Sequence, residues 1–169
     1  MPSPGGARRP GDVGSARTGV ERRQVSAKQT DEGVEVKNMV GLVLVSHSWK
    51  IAEGIKDLTD QVAPTHKGII CAGGLEDKSI GTDAVRISEA VKQADDGDGV
   101  VLLADLGSGV MSAETAIELL EDENINVKLA DAPIVEGAIA AAVTAAIGST
   151  MEQVVAAAEQ TREVNKVLS

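Results

Sequence analysis

The residues of this chain best suited to chemistry are a histidine and an aspartate that each follow an apolar run. His47 follows the run 40–45, whose Val and Leu side chains predict a strand buried on both faces and which stops at Ser46, and Asp105 follows a second such run, 100–104. A neutral imidazole is a nucleophile near pH 7, and a carboxylate that accepts the proton of one ring nitrogen leaves the other nitrogen free to react. The pair therefore indicates nucleophilic catalysis in which His47 carries the transferred group.

Small residues around both candidates predict a site for an anion. Gly107, Ser108 and Gly109 lie at the start of a predicted helix, and Ser48 opens another helix directly after His47. Amide groups at the amino end of a helix attract negative charge, and glycines let the backbone approach a phosphate closely. A histidine nucleophile, a carboxylate and such a phosphate cradle together favour phosphoryl transfer through a phosphohistidine.

Two other interpretations of these residues stay open on spacing alone. In the first, His47 only caps the helix that follows it, and Asp105 is a turn residue. In the second, the run 107–112 (Gly-Ser-Gly-Val-Met-Ser) is a dinucleotide-binding loop between a strand and a helix. A serine replaces the third glycine of that loop, and the acid expected ~20 residues further on is matched only loosely by Asp131.

Strand and helix patterns alternate along residues 39–169. The predicted strands are 40–45, 67–72, 100–104 and 125–130. The predicted helices are 48–62, 82–94, 110–122, 135–146 and a fifth that runs from a capping box at 149–152 to residue 165. This alternation predicts an α/β fold with an open, mainly parallel four-stranded sheet and helices on both faces. The two most apolar strands belong at its centre, which gives the order 2-1-3-4. The order reverses between strands one and three, so His47 and Asp105 should face each other in the crevice there.

The first 38 residues differ from the rest in composition. They hold five glycines by residue 19, three prolines and a net charge of +2, whereas residues 39–169 carry a net charge of −12. Such a segment cannot bury enough apolar surface to offset its ordering entropy, so we expect residues 1–38 to be a disordered extension of a domain spanning 39–169. Its arginines are compatible with a nucleic-acid-binding arm, but a solvated tail is the simpler interpretation.

The composition argues against several classes of function. No apolar stretch reaches the ~18 residues that a membrane span needs. The single cysteine allows no internal disulfide, and one cysteine with two histidines makes a transition-metal site a poor fit. The acidity of the body disfavours nucleic acid as a partner. These features predict a cytoplasmic protein with no metal and no membrane or nucleic-acid partner.

Four further features carry separate expectations. His66 is expected to be a solvated turn residue, and Cys71 a buried thiol. Trp49, the only aromatic residue, either packs on the first helix or lies on a docking surface beside His47. The acidic turn 95–98 is expected to be a solvated loop rather than a calcium site.

Six segments spread through residues 39–165 carry a family resemblance. They are 46–48 (Ser-His-Ser), 52–54 (Ala-Glu-Gly), 81–84 (Gly-Thr-Asp-Ala), 105–108 (Asp-Leu-Gly-Ser), 111–116 (Met-Ser-Ala-Glu-Thr-Ala) and 132–137 (Ala-Pro-Ile-Val-Glu-Gly). In this order they closely resemble the DhaM family, the phosphotransferase subunits of PEP-dependent dihydroxyacetone kinases, whose fold is that of the mannose-type enzyme IIA domain. A sugar-transport enzyme IIA shares the histidine and the aspartate, but the segments 81–84 and 111–116 favour DhaM.

The resemblance implies a two-step relay in glycerol metabolism, catalysed by a phosphoenolpyruvate–glycerone phosphotransferase. Phosphorylated HPr would donate its phosphoryl group to His47, which would pass it to ADP held on a DhaL subunit. DhaL with DhaK would then phosphorylate dihydroxyacetone. The family is homodimeric, and no cofactor is implied besides the phosphoryl group itself. By resemblance, Asp105 orients His47, while Ser108 and the Gly107 amide line the phosphate site.

Further points follow from the same resemblance. Thr82 and Asp83 are expected near the same crevice, because the loop after the second strand opens at that edge of the sheet. Gly109 stands where the family often has alanine, and the first 38 residues have no counterpart. HPr is expected to act in trans, since the chain ends after its fifth helix. The alternative function is that of a sugar-transport enzyme IIA, which would pass the phosphoryl group to an enzyme IIB.

Overall fold

A computed structural model describes residues 1–2, 28–29 and 35–167 of the chain. The body of the protein is built from four strands and five helices that alternate along the sequence. In chain order the elements are β1 (Gly41–Ser46), α1 (Trp49–Val62), β2 (Ile69–Gly73), α2 (Ala84–Ala94), β3 (Val100–Ala104), α3 (Gly107–Glu118), β4 (Val127–Leu129), α4 (Ile134–Ala146) and α5 (Met151–Gln160). A 3₁₀ turn, Thr161–Glu163, follows α5.

The four strands form one parallel sheet in the order β2-β1-β3-β4, which confirms the predicted order 2-1-3-4. Strand β1 lies at its centre, and residues 42–45 are completely buried. Helices α1, α4 and α5 pack on one face of the sheet, and α2 and α3 pack on the other. Aliphatic side chains fill both layers, so the strands are apolar on both faces, as is usual for a covered parallel sheet.

All five helices begin one to three residues away from the predicted starts, and the largest shift is at α3. Helix α3 was expected to start at Val110, but it starts at Gly107, because Leu106 adopts an extended N-cap conformation and its carbonyl accepts the Val110 amide at 3.0 Å. The glycine-containing run is therefore the first helical turn rather than a loop before it. The capping box of α5 is formed by Thr150 and Gln153, one residue later than the predicted pair.

Helix α1 leaves part of its apolar stripe exposed. The helical spacing of Ile51, Ile55, Leu58 and Val62 predicts that all four face the core, but only Ile55 is buried, and the other three are 43–49% exposed. Thr59 is buried in their place, with Ile55 beside it. Burial of this threonine is possible because its hydroxyl donates to the Ile55 carbonyl at 2.7 Å. An apolar stripe therefore remains on the surface of α1.

Most of the predicted extension 1–38 lies outside the described residues. Within that segment, Lys28–Gln29 pairs antiparallel with Glu35–Val36. Next to this pair, the Lys37 ammonium donates to the Gly148 carbonyl at 3.4 Å. The disorder expected of the extension and the domain boundary at residue 39 stay predictions.

The described residues contain neither a helix that could span a membrane nor a cluster that could hold a metal ion. None of the helices in these ranges is long and apolar enough to cross a membrane; the longest, α1, has 14 residues. No group of three or more His, Cys, Asp and Glu side chains within the same ranges is arranged to hold a metal ion.

His66 is buried in the core, so its prediction as a solvated turn residue is wrong. In the turn after α1 the His66 amide donates to the Ala63 carbonyl at 3.0 Å, and this turn brings the ring against Val40, just before β1. The ring is 1% exposed, and its Nε2 lies 2.8 Å from the Val40 carbonyl oxygen. Because a carbonyl only accepts, Nε2 carries a proton, while the buried Nδ1 has no hydrogen-bond partner. Burial also lowers the pKa of His66, so the imidazole is neutral near pH 7.

We predict that His66 makes the protein less stable in mild acid. Burial lowers the pKa of His66, and the hydrogen bond to Val40 and the charge of Asp60 offset this only in part, while Lys56 adds to it. Below the ordinary histidine pKa of about 6.5 the unfolded chain takes up the proton first, so the free energy of unfolding falls as pH falls. Urea unfolding at pH 7.5 and 5.5 should show this loss.

The matched variant is His66→Gln, which keeps an N–H donor but cannot titrate. As the pH falls below 6.5, the free energy of unfolding of the wild type should fall more steeply than that of the variant, by up to about 1.4 kcal/mol per pH unit. Equal slopes for the two proteins would contradict the assignment of the acid sensitivity to His66.

Candidate active site

Strands β1 and β3 place His47 and Asp105 side by side at the carboxyl edge of the sheet. Val45 pairs with Ala104 in the sheet register, and the Asp105 amide donates to the Val45 carbonyl at 3.2 Å. His47 Nδ1 lies 2.9 Å from Asp105 Oδ1. The expected meeting of the two side chains in the crevice is therefore observed.

The ring of His47 is held at both nitrogens. Since a carboxylate only accepts, Nδ1 carries the proton and donates it to Asp105, and a neutral ring then leaves Nε2 with a lone pair. Nε2 lies 2.6 Å from Ser108 Oγ, whose hydroxyl can donate to it. The ring is 20% exposed. Neither nitrogen caps α1, whose N-cap residue is Ser48, so the interpretation of His47 as a helix cap is not supported.

Asp105 accepts four hydrogen bonds. Oδ1 accepts from His47 Nδ1 and from the Leu106 amide at 2.7 Å, while Oδ2 accepts from the Ser46 hydroxyl at 2.8 Å and the His47 amide at 2.9 Å. Partial burial raises the pKa of Asp105, but these hydrogen bonds outweigh it and hold the pKa below its usual value. The carboxylate is therefore ionised at neutral pH and can balance a positive charge on the imidazole.

The first turn of α3 lies against this pair. A Cβ added to Gly109 would be 3.0 Å from Asp105 Oδ1 and 3.6 Å from His47 Cε1, so the Gly109 backbone is close to both side chains. The first intrahelical bond of α3 runs from Val110, which leaves the amides of 107–109 outside the helical pattern and able to face an anion. This position fits the predicted phosphate cradle.

The other predicted cradle residue, Ser48, is placed differently. Its amide donates to Ser46 Oγ at 3.2 Å and is thus already engaged within the protein. Its side chain makes no capping hydrogen bond to α1. The structure therefore supports a phosphate cradle formed by the first turn of α3, without an equal contribution from the start of α1.

The two residues expected near the crevice take different places. Thr82 Oγ1 is 2.8 Å from Ser112 Oγ, and its methyl group would be 3.8 Å from a Cβ on Gly109, so Thr82 lies beside the site. Asp83 is the N-cap of α2, and its carboxylate accepts the amides of residues 85 and 86. Its observed interactions therefore explain Asp83 as a helix cap.

Sequence reasoning assigned no role to Ser46 or Ser112. The sequence contained a feature that could have indicated a role for each of them. Ser46 is a polar residue at the end of an apolar strand, and Ser112 lies one helical turn after Ser108. Both hydroxyls bond to residues of the site, Ser46 to Asp105 and Ser112 to Thr82.

A small cavity lies beside the crevice at the start of α1. Its volume is about 130 Å³, and Trp49, Cys71 and Lys78 are among the residues that line it. The Lys78 ammonium lies 4.3 Å from the centre of the Trp49 ring, so this ring faces the cavity rather than the core. Burial raises the pKa of Cys71 to about 11, which keeps the thiol protonated and makes it a poor nucleophile.

Large apolar side chains surround the crevice. Four of them are more than half exposed: Ile80, Val85, Leu106 and Met111. Leu106 directly follows Asp105, and Met111 is nearly one helical turn beyond Ser108. His47 itself lines neither the cavity of about 130 Å³ nor the one of about 180 Å³. The histidine is thus presented on an open, apolar surface.

Residues 41–155 match the family model described as the PTS system fructose IIA component, EIIA-man. The chain belongs to this family. The predicted mannose-type enzyme IIA fold is therefore confirmed, and a dinucleotide-binding fold is not supported. Asp131, the acid that such a loop would need, instead forms an ion pair with Arg162.

Two named relatives and one solved structure are similar to this chain over most of its length. The phosphoryl donor subunit DhaM of the PEP-dependent dihydroxyacetone kinase of Providencia stuartii is 42% identical over 126 residues, which are 72% of this chain and 26% of that protein. The DhaM subunit of dihydroxyacetone kinase 2 of Listeria innocua is 37% identical, over 69% of this chain and 94% of that one. The crystal structure of EF1359, a protein of unknown function, has 38% identity and a TM-score of 0.64, and the match covers 72% and 94% of the two chains.

The match covers very different shares of the two relatives' lengths. The chain spans about a quarter of the length of the Providencia relative, but it matches nearly the whole of the Listeria subunit. The resemblance to DhaM subunits predicted from the six segments is confirmed. What those subunits do is carried to this chain only as a proposal.

Proposed function

We propose that this chain is a phosphohistidine carrier of a PEP-dependent dihydroxyacetone kinase. His47 accepts a phosphoryl group from phosphorylated HPr and passes it to ADP on a DhaL subunit, which phosphorylates dihydroxyacetone together with DhaK. The observation that carries the proposal is the fixed ring of His47, with Nδ1 on Asp105 and Nε2 directed at the first turn of α3. DhaM relatives that are named phosphoryl donor subunits support it.

In the first step the Nε2 lone pair of His47 attacks the phosphorus atom held by HPr. A phosphorus–nitrogen bond forms, the bond between phosphorus and HPr breaks, and its electron pair stays with HPr. The ring gains positive character, which the ionised Asp105 balances through Nδ1. The Ser108 hydroxyl, which lies 2.6 Å from Nε2 in the free protein, moves away from Nε2 and donates to a phosphoryl oxygen. The amides at the start of α3 donate to the same phosphoryl group.

In the second step the same bond is broken by an oxygen of the ADP β-phosphate. The electron pair of the phosphorus–nitrogen bond returns to Nε2, and the neutral ring is restored with its proton still on Nδ1. No other cofactor is required, since His47 itself carries the transferred group between the two partners.

The surface around His47 supports transfer between proteins rather than direct binding of a small substrate. The four exposed apolar side chains around the crevice provide the contact surface that a protein partner buries. The open site would not enclose a free three-carbon sugar, which normally binds in a concave pocket. The exposed apolar stripe on α1 supports a homodimer as a further part of the proposal.

The proposal is tested by labelling the full chain with radioactive PEP, enzyme I and HPr. One acid-labile phosphate per chain should form, and it should be absent in His47→Ala. The control is His66→Gln, which removes the other of the two histidines and should be labelled as fully as the wild type. Labelling of His47→Ala to the wild-type level would refute the proposal.

The acceptor decides between the proposed function and that of a sugar-transport enzyme IIA. The phosphorylated chain is mixed in turn with DhaL loaded with ADP and with an enzyme IIB. We expect rapid loss of the label to DhaL-bound ADP and, with DhaK present, formation of dihydroxyacetone phosphate. Transfer to the enzyme IIB alone would replace the proposed function with sugar transport.

A further inference from the structure

Ser46 is a buried polar residue that touches the site and has no role in the mechanism above. It is the last residue of β1, and it is fully buried. Its hydroxyl donates to Asp105 Oδ2 at 2.8 Å and accepts the Ser48 amide at 3.2 Å. Ser46 therefore links the Asp105 carboxylate to Ser48, the N-cap residue of α1, and these contacts lie on either side of His47.

The carboxylate of Asp105 needs to be held at both oxygens. Rotation about the bond to a carboxylate is soft, with broad and roughly two-fold preferences, so its own rotamer does not aim Oδ1 at an imidazole. If Oδ2 moves, Oδ1 moves away from His47 Nδ1, and the hydrogen bond that fixes the tautomer is lost. Backbone amides hold each oxygen once, and the second bond on Oδ2 comes from the Ser46 side chain.

The sheet register explains why position 46 can do this. Val45 and Ala104 are paired in adjacent strands, so the next residues, Ser46 and Asp105, lie next to each other where the strands end. The hydroxyl is short and shielded from water, and it sits in a strand that is hydrogen-bonded on both sides. It therefore holds Oδ2 with little loss of side-chain entropy.

We propose that Ser46 is a positioning residue for the phosphoryl transfer: its hydroxyl holds Asp105 Oδ2 so that Oδ1 faces His47 Nδ1 and the lone pair stays on Nε2. The inference rests on the proposed function, because the position of this lone pair matters only if Nε2 is the nucleophile. It does not make Ser46 a catalytic residue, since the hydroxyl contacts Asp105 and the Ser48 amide rather than His47 Nε2.

The first test measures the ring directly in the unphosphorylated full chain. Nitrogen-15 NMR of the His47 ring distinguishes a proton on Nδ1 from a proton on Nε2. The wild type should show the Nδ1-protonated tautomer almost alone, and Ser46→Ala should show a clear fraction of the other. Ser46→Thr, which keeps the hydroxyl, should restore the wild-type spectrum. A wild-type spectrum for Ser46→Ala would overturn the proposal.

The second test is the rate of labelling by phosphorylated HPr as a function of pH. Loss of one hydrogen bond to a charged group predicts about a 10-fold lower rate constant for Ser46→Ala. Because the lost hydroxyl also helps to keep Asp105 ionised, the acid limb of the profile should move to higher pH in this variant. A uniform drop in rate with an unchanged profile would point to a structural role only and would overturn the proposal.

The matched control is Ser88→Ala. Ser88 is also a buried serine, 7% exposed, but its hydroxyl donates to the Val85 carbonyl within α2 and does not contact Asp105. Its loss should leave the His47 spectrum and the pH profile unchanged. If the wild type accepts no phosphate, the proposed function fails, whereas the NMR comparison still decides whether Ser46 positions Asp105.

Discussion

Asp105→Asn should slow phosphorylation of His47 by about 10²- to 10⁴-fold, the range of effects seen when a catalytic group loses its proton partner. The carboxylate accepts four donors, two on each oxygen. An asparagine has one oxygen and one NH₂ group, so in either orientation it turns an N–H toward a backbone amide that now donates to Asp105. It also removes the negative charge that balances the imidazolium.

One orientation has a further consequence for His47. If the NH₂ group faces Nδ1, the ring can accept this hydrogen bond only by moving its proton to Nε2, and the nucleophilic lone pair is lost. The measurement is the single-turnover rate of labelling by phosphorylated HPr at saturating HPr, which separates the phosphoryl-transfer step from docking.

The control for this substitution is Asp95→Asn. It removes the same charge from a carboxylate that accepts the Gly97 amide in the turn after α2, at the opposite edge of the sheet. Its labelling rate should stay within about twofold of the wild type, because a charge this far from the site is screened by salt. If the two variants labelled at the same rate, Asp105 would have no role in orienting His47.

The sheet and the meeting of His47 with Asp105 were predictable because both depend on strong local signals. Apolar runs that are buried on both faces define β1 and β3, and the crossover rule leaves few ways to arrange the remaining strands. Once the two strands are neighbours, the residues that follow them meet at one edge. This conclusion does not depend on the exact ends of any helix.

The errors about which residues are buried share a physical cause, which is that a polar residue can be buried when a nearby backbone group forms a hydrogen bond with it. His66 and Thr59 are both buried, each on a carbonyl oxygen, at Val40 and Ile55. Sequence patterns assign polar residues to the surface because the tertiary partner is unknown at that stage. The role of Ser46 was missed for the same reason, since its acceptor lies 59 positions away in the chain.

The start of α3 shows a different limit. Glycine has a low helix propensity, so a run with two glycines predicts a loop. At the first turn this cost is small next to the gain from placing the backbone against His47 and Asp105, where a Cβ at Gly109 would be tightly packed. The start of α3 therefore depends on the Leu106 N-cap and on tertiary packing at Gly109, which local propensity does not indicate.

Gly41→Ala should destabilise the protein by about 3 kcal/mol or more, a large part of the 5–15 kcal/mol typical of a domain. A Cβ at this position would overlap the carbonyl oxygen of Ala94 and lie 2.8 Å from its carbonyl carbon. These are backbone atoms at the end of α2, so no side chain can rotate to make room. Gly41 cannot retreat either, because β1 is hydrogen-bonded to β2 and β3.

The matched substitution, Gly54→Ala, shows that the effect depends on the position and not on the loss of glycine. Gly54 lies on the exposed side of α1, and a Cβ there would meet no atom within 4 Å. Alanine favours the helix over glycine by up to about 1 kcal/mol, so this variant should be more stable than the wild type. Urea unfolding of the wild type, Gly41→Ala and Gly54→Ala measures the change in the free energy of unfolding caused by each substitution. Equal stability of Gly41→Ala and the wild type would mean that α2 can move away from β1. It would contradict the tight packing of the end of α2 against the amino end of β1.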